Sequence, residues 1–195
     1  DLKQISQKHI LMADLVLNHV SSSHPWVQQF IKSQEPGMSN VFSPDKNFDW
    51  TNVVRPRSSS LFSQVKTGEG SKQVWTTFGP DQIDLNWHNP KMIKYFLVLI
   101  INYLSHGIKW FRLDAVGFIW KESGTTCLHL PKAHSIVKIL RILLNNLLSD
   151  CLLITETNVP QRENLSYLIP EDEAHMAYNF PLPPILLEAI ITSKA

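Results

Sequence analysis

Continuous apolar runs alternate along the chain with stretches whose apolar residues recur every three or four positions. Short apolar runs are typical of buried strands, and the second pattern is typical of helices packed on one side. The runs predict strands over 10–17, 108–113, 151–155 and 176–180. The helical pattern predicts helices over 90–107, over 131–148 and from 183 toward 195. Strands that alternate with helices in this order predict an α/β fold with a parallel sheet.

The segment after the first predicted strand has a different composition. From about residue 21 to 89 it is rich in Ser, Pro, Asn and Gly, with scattered aromatic residues. Such a composition favours a long irregular excursion, and long loops in compact folds are usually functional. We therefore predict a main α/β body formed by 1–20 and 89–195, and an inserted irregular loop subdomain formed by 21–88.

Composition and charge narrow the class of protein. The chain has 195 residues, of which 44% are hydrophobic and 10% aromatic, and its formal net charge is +1. This content can bury a core, and the scattered charges offer no sustained basic patch for nucleic acid or an anionic membrane. We expect small-molecule partners, no nucleic acid and no membrane. The apolar runs suit neither a signal peptide nor a bilayer span, which favours a cytoplasmic location.

The residues that could hold a metal or form a disulfide are sparse. Cys127 and Cys151 lie in or beside apolar runs and lack the spacing of a zinc site or a disulfide framework. They are predicted to be reduced core thiols. Because no cluster of Asp and Glu has the spacing of metal ligands, we predict no metal and no cofactor.

Three of the apolar runs lead into polar side chains at 14–19 (DLVLNH), 111–115 (FRLDA) and 154–158 (ITETN). Parallel strands of a barrel present catalytic side chains at their carboxyl ends. Taken singly, each stretch has a structural interpretation: Asp14 and His19 could be a turn acid and a core histidine. Their occurrence together at successive strand ends favours an active site.

The acidic residues of these stretches suit the cleavage of a glycosidic bond. Arg112 and Asp114 are two positions apart, so on a strand both side chains point to one face, where the guanidinium can hold the carboxylate. A purely structural ion pair is the alternative. Glu156 leaves an apolar run, an environment that suits a general acid. One ionised and one protonated carboxyl group, about 5 to 5.5 Å apart, are what a retaining glycosidase requires.

The order of these motifs resembles the first three catalytic regions of the α-amylase superfamily, glycoside hydrolase family 13. Longer motifs resemble its sucrose phosphorylase subfamily, and within that the glucosylglycerate phosphorylase branch. These motifs are 21–26 (SSSHPW), 54–57 (VRPR), 74–86 (VWTTFGPDQIDLN), 120–131 (WKESGTTCLHLP), 155–160 (TETNVP) and 173–184 (EAHMAYNFPLPP). The similarity covers nearly the whole chain.

The resemblance implies catalytic roles. It implies a retaining transfer of glucosyl from a small α-glucoside, of the sucrose or glucosylglycerate type, to inorganic phosphate. In that reaction Asp114 would be the nucleophile, Glu156 would protonate the leaving oxygen and Arg112 would orient Asp114. A hydrolase or transglucosidase with the same residues is the alternative activity.

The resemblance also implies substrate contacts. His19 and Gln82 would bind hydroxyl groups of the glucosyl ring, Asp14 would lie in the same donor site, and Phe78 would stack on the ring. A core aromatic is the alternative for Phe78. Arg55 and Arg57 would face the incoming phosphate, with solvated surface arginines as the alternative. No role is assigned to His24, His129, His134 or His175.

The chain departs from the family pattern in one respect. No stretch after Phe180 resembles the fourth region, a His-Asp pair whose carboxylate favours the transition state. By resemblance, the chain corresponds to about the third strand through the sixth helix of a (β/α)8 TIM barrel, with a long loop insertion after its first strand. We therefore expect a partial barrel, and we expect the 195-residue chain by itself to be inactive.

Overall fold

A parallel sheet organises the part of the chain that the structure, a computed structural model, describes: residues 1–147, 150–157, 161–169 and 171–193. The strands are β1 (Leu11–Val16), β2 (His19–Ser21), β3 (Phe62–Thr67), β4 (Gly70–Trp75), β5 (Gln82–Asp84), β6 (Ile108–Asp114), β7 (Leu152–Thr155) and β8 (Met176–Ala177). The helices are α1 (Leu2–Ser6), α2 (Pro25–Ile31), α3 (Gly37–Asn40), α4 (Lys91–Ser105), α5 (Pro131–Leu147), α6 (Gln161–Leu165) and α7 (Leu182–Thr192). A 3-10 turn spans Val116–Phe118.

The central sheet has the strand order β1-β6-β7-β8, and every neighbouring pair is parallel. The helices α4 and α5 connect β1 to β6 and β6 to β7 by the crossovers that parallel strands require. This arrangement confirms the predicted α/β fold with a parallel sheet. The last strand is shorter than the predicted 176–180, because only Met176 and Ala177 pair with β7.

The predicted helices are present with small differences at their ends. Helix α4 begins at Lys91, after Pro90, and Gly107 follows its end at a positive φ of 85°. That backbone conformation favours glycine, as expected for the residue after a helix cap. Residue 148, the predicted end of α5, and residues 194 and 195, the predicted end of α7, lie outside the described residues.

The main core forms between the sheet and the inner faces of α4 and α5. Helix α4 buries Met92, Phe96 and Ile100, which are four positions apart and so lie on one helix face. The sheet contributes fully buried residues from each long strand: Leu15, Phe111, Leu113 and Leu153. Burial of each such side chain stabilises the fold by about 1.5–3 kcal/mol, so this core anchors the strand ends that carry the candidate site.

Both cysteines are free and buried, as predicted. Cys151 belongs to the main core, and burial raises the pKa of its thiol. None of the described helices combines the length and the apolar character needed to cross a membrane.

The segment 21–88 is more regular than its composition predicted. It contains α2, α3 and the antiparallel pair β3–β4, and its strand β5 returns to pair with β2. Two small cores support it, one around Val27 and Phe30 and one around Phe42 and Trp75. The prediction of an irregular segment was wrong in this respect, because its short, half-exposed strands leave a weak alternation in the sequence. Its status as a separate subdomain remains a prediction.

Candidate active site

A cavity of about 320 Å³ lies at the carboxyl ends of β6 and β7. Its lining consists of His19, Pro56, Arg57, Phe78, Gln82, Asp114, Ala115, Phe118, Glu156 and Thr157. The cavity therefore brings together six of the residues that the sequence predicted for the site. A larger adjoining cavity of about 500 Å³ shares His19 and Gln82 and contains Asp14, but it has neither Asp114 nor Glu156. Because the smaller cavity holds both candidate catalytic carboxylates, it is the candidate active site.

The guanidinium of Arg112 connects three carboxylates. Its Nη1 atom lies 2.9 Å from Asp114 and 3.1 Å from Asp14, and its Nη2 atom lies 3.6 Å from Glu156. The strand register explains this, because Asp14 on β1 pairs with Arg112 on β6 and Asp114 lies two residues further along the same face. The ring of Tyr178 lies 5.4 Å from the guanidinium carbon. Asp114 and Glu156 thus contact one cation, which Asp14 also contacts.

Burial and the neighbouring carboxylates have opposite effects on the pKa of Arg112. Burial lowers its pKa, but the three carboxylates outweigh this effect and hold the pKa above its usual value. The guanidinium is therefore a permanent positive charge. The side chains of Asp114 and Glu156 are only 22% and 20% exposed, whereas that of Asp14 is 54% exposed. The two cavity carboxylates are the more shielded members of the group.

A strained residue fixes the two strand ends relative to each other. Ala115 follows Asp114 in the left-handed conformation, with φ 51° and ψ 31°, at a cost of roughly 1–2 kcal/mol for a residue with a side chain. In this conformation its N–H donates to Oε2 of Glu156 at 3.3 Å. The N–H of Glu156 in turn donates to the carbonyl of Leu113 at 3.1 Å. These two hydrogen bonds join the end of β6 to the end of β7.

The predicted sugar-binding residues lie on the opposite wall. Nε2 of Gln82 lies 2.9 Å from Nε2 of His19, because β5 pairs with β2 and presents both side chains to the cavity. The ring of Phe78 lies 5.2 Å from that of His19 and 5.4 Å from that of Phe118. Burial lowers the pKa of His19, although Asp84 and Asp114 oppose this effect. A neutral imidazole, a carboxamide and an aromatic face are groups that suit a sugar ring.

The two predicted phosphate-facing arginines have different surroundings. The guanidinium of Arg55 donates to the carbonyl groups of Ser59, Thr76 and Thr77, so its donors are used within the protein. Arg55 does not line the cavity, and the geometry assigns it to holding the loop. Arg57 lines the cavity and makes no ion pair or side-chain hydrogen bond with any described residue. Of the two, only Arg57 is placed to meet a ligand.

A buried ion pair behind the cavity was not predicted from the sequence. Asp84 and Lys121 are fully enclosed, with their charged atoms 2.7 Å apart. The ammonium of Lys121 also donates to Asn18 and to the carbonyl of Phe118, each at 2.7 Å. Asp84 accepts further hydrogen bonds from Asn18 and Thr77. His19 follows Asn18 in the chain, Phe78 follows Thr77, and the carbonyl of Phe118 accepts a hydrogen bond from Lys121. The buried pair therefore holds the part of the cavity wall that His19, Phe78 and Phe118 form.

The Lys121→Met variant should be strongly destabilised. It leaves the Asp84 carboxylate buried without its cation, and such a broken pair typically costs about 3–5 kcal/mol. Burial lowers the pKa of Lys121, and the charge of Asp84 opposes this effect. The charged form of Lys121 therefore depends on Asp84. Urea unfolding of the variant beside the parent protein measures the loss.

Lys109→Met is the matched control for this prediction. Lys109 pairs with Asp150 on the surface, where the side chains are 45% and 55% exposed. An exposed pair contributes little to stability, so this variant should unfold close to the parent protein. Equal losses for the two variants would contradict a special role for the buried pair.

The described residues contain no group of three or more His, Cys, Asp or Glu placed to hold a metal ion. In the motif 155–160, residues 158–160 lie outside the described residues, whereas Thr157 lines the cavity.

Comparison with known proteins links this geometry to a family. A family model described as "Alpha amylase, catalytic domain" matches residues 2–190. The chain is 45% identical over 196 residues to a glucosylglycerate phosphorylase of Allomeiothermus silvanus, covering 100% of this chain and 35% of that protein. It is 41% identical over 193 residues to a glucosylglycerate phosphorylase of Escherichia coli K12, covering 97% and 34%. The chain thus spans about a third of the length of these curated relatives.

More distant relatives agree with the resemblance. A sucrose phosphorylase of Agrobacterium vitis is 28% identical over 205 residues, covering 100% of this chain and 41% of that protein. The crystal structure of sucrose 6F-phosphate phosphorylase from Thermoanaerobacter thermosaccharolyticum superimposes with a TM-score of 0.84 at 24% identity, covering 98% of this chain and 41% of that one. This structural likeness shows a shared fold.

Proposed function

The chain belongs to the α-amylase family, and on this premise we propose that it carries the catalytic carboxylate pair of a retaining glycoside phosphorylase. The observation that carries the proposal is the contact of Asp114 and Glu156 with one guanidinium beside one cavity. The parallel strand order supports the further proposal that the chain forms about the third strand through the sixth helix of a (β/α)8 barrel.

The proposed reaction has two steps. In the first, a carboxylate oxygen of Asp114 bonds to the anomeric carbon while the bond to the leaving oxygen breaks, and Glu156 donates a proton to that oxygen. In the second, a phosphate oxygen bonds to the same carbon, the bond to Asp114 breaks, and Glu156 takes back a proton. Two inversions at one carbon retain its configuration, so an α-glucoside yields α-glucose 1-phosphate.

The cavity supports roles for the groups around this pair. Arg112 keeps Asp114 aligned and compensates charge as the intermediate forms and breaks. His19 and Gln82 bind hydroxyl groups of the glucosyl ring, and Phe78 packs against its apolar face. Asp14 contributes from the adjoining cavity.

Arg57 favours phosphate as the second substrate. It is an exposed side chain on the cavity wall, and a guanidinium is suited to binding phosphate oxygens in pairs. Water needs no such group. The relatives named as phosphorylases support the same choice over the hydrolase and transglucosidase alternatives, and their names favour glucosylglycerate or sucrose as the donor.

The test needs a complete barrel, since we expect no turnover from the 195-residue chain alone. Within the described residues β1 and β8 each pair on one side only, and we expect strand ends in such an open sheet to be less rigid than catalysis needs. The chain can replace the matching third of the Allomeiothermus silvanus relative, to which it is 45% identical. We call this protein the barrel graft. It should release glucose 1-phosphate from glucosylglycerate or sucrose when phosphate is present, and a folded but inactive graft would contradict the proposal.

The Arg57→Gln variant of the barrel graft separates phosphorolysis from hydrolysis. Loss of one charged hydrogen-bond partner should raise the KM for phosphate by about tenfold or more, while free glucose release in phosphate-free buffer changes little. Initial rates over a range of phosphate concentrations measure this. Lys66→Gln, a change of an exposed cation on β3, is the control. An unchanged KM for phosphate in the Arg57 variant would remove the support for phosphate as acceptor.

A further inference from the structure

The turn that follows Asp114 is held from behind by a histidine. The N–H of His129 donates to the carbonyl of Gly117 at 2.8 Å. Its ring lies so close to Gly117 that a Cβ atom added there would be 2.6 Å from the ring carbon Cε1. Gly117 belongs to the 3-10 turn that begins after Ala115. The position of His129 therefore limits the position of this turn.

His129 is held in turn by a tyrosine from the connection between β7 and β8. Nδ1 of His129 and the hydroxyl of Tyr167 share a hydrogen bond of 3.0 Å. Tyr167 is fully buried in the main core, and its ring stacks on His134 with centroids 4.1 Å apart and planes 15° apart. Nδ1 of His134 lies 2.8 Å from a carboxylate oxygen of Glu173, which is also buried. A continuous set of contacts thus joins the core to the turn.

The two residues that share this hydrogen bond come from the connections that follow two different strands, β6 and β7. His129 lies on the connection that follows Asp114, and Tyr167 lies on the connection that follows Glu156. The same strand ends are also joined by Arg112, which contacts both Asp114 and Glu156, and by the two hydrogen bonds that the N–H groups of Ala115 and Glu156 donate. The tyrosine and the histidine hold the turn in the place where the N–H of Ala115 meets Glu156.

We propose that His129 and Tyr167 are positioning residues that aim the Glu156 carboxyl at the leaving oxygen by holding the Ala115 N–H against it. This inference rests on the proposed function, because it assigns an effect on the acid step of that reaction. It predicts a defect in protonation of the leaving group. The nucleophile Asp114 accepts a hydrogen bond from Arg112 at 2.9 Å, whereas Arg112 comes no nearer than 3.6 Å to Glu156, so the step of Asp114 depends less on the turn.

The surroundings of His129 keep its ring uncharged. Burial and the nearby His134 lower the pKa of His129 to about 4, with Glu163 acting in the opposite direction. Burial and Glu173 raise the pKa of Tyr167. Both groups are therefore neutral between about pH 5 and 9, and their hydrogen bond keeps its form over the range in which the enzyme would be assayed.

The experiment compares two donors in the Tyr167→Phe variant of the barrel graft. This change removes the hydroxyl and keeps the ring that stacks on His134. Turnover of glucosylglycerate, which needs a proton on the leaving oxygen, should fall by about tenfold to a hundredfold, since a misplacement near 1 Å can cost that much. Its KM should not rise. α-Glucosyl fluoride, whose leaving group needs little protonation, should be used at close to the parent rate.

Two further variants complete the test. Tyr95→Phe removes a hydroxyl on α4 that makes no side-chain hydrogen bond with the described residues, and it should leave both donors unaffected. His129→Asn keeps a polar atom near the position of Nδ1 and tolerates the positive φ of 51°, so it should retain more glucosylglycerate turnover than His129→Ala.

The outcome for the two donors decides between the roles. A loss confined to glucosylglycerate supports the proposal. Equal losses on both donors would overturn it, because the two residues would then contribute only to the stability of the protein. No loss on either donor would overturn it as well. The parent graft assayed on the same donors tests the proposed function independently of either variant.

Discussion

Asp114→Asn in the barrel graft is expected to reduce glucosyl transfer by on the order of ten-thousandfold or more from every donor. The amide has the shape of the carboxylate but cannot form the glucosyl ester, so the first step loses its nucleophile. The loss should be similar for glucosylglycerate and for α-glucosyl fluoride, because both donors need the same attack. Initial rates with the two donors measure it.

Asp14→Asn is the matched control for this change. Asp14 and Asp114 contact the same Nη1 atom of Arg112, at 3.1 and 2.9 Å, so each variant removes one negative charge beside that cation. Only Asp114 lines the cavity with Glu156. A far smaller loss in the Asp14 variant would separate the nucleophile from a general charge effect. Near-normal turnover by the Asp114 variant would refute its role.

Glu156→Gln is expected to show a strong dependence on the leaving group. Without the acid, turnover of glucosylglycerate or sucrose should fall by about a hundredfold to ten-thousandfold. Release of fluoride should fall much less, since that leaving group departs without full protonation. The same pair of assays measures both effects, and their ratio is the informative quantity.

Gln82→Glu provides a comparison for the Glu156 variant. It changes an amide to a carboxyl group on the opposite cavity wall, where it should impair sugar binding for all donors alike. The Glu156 variant should therefore be the one that discriminates between donors. If its losses on fluoride and on glucosylglycerate were equal, Glu156 would not be the acid.

The strand ends could be predicted because their signals are local. An apolar run such as 108–113 gives a strand, and a spacing of two places Arg112 and Asp114 on one face. Parallel order then places the carboxyl end of β7, with Glu156, at the same edge. These inferences use neighbours in the chain and one rule of topology.

The contacts that were missed join distant parts of the chain. Asp84 and Lys121 are 37 positions apart, and His129 and Tyr167 are 38 apart. Nothing in a single sequence states that such residues meet. Arg55 and Arg57 illustrate the same limit. They lie in one short motif, but the guanidinium of Arg55 donates to backbone carbonyl groups, whereas Arg57 lines the cavity.

The most direct measurement is the capture of the covalent intermediate in the Glu156→Gln barrel graft. With α-glucosyl fluoride as donor, the first step proceeds, whereas the second slows because no base accepts the proton of the incoming group. Mass spectrometry of the digested protein should find one added glucosyl residue on the peptide that contains Asp114, and none when Asp114→Asn is added. Consumption of the fluoride without that adduct, or an adduct on a different peptide, would contradict the assignment of Asp114 as the nucleophile of this site.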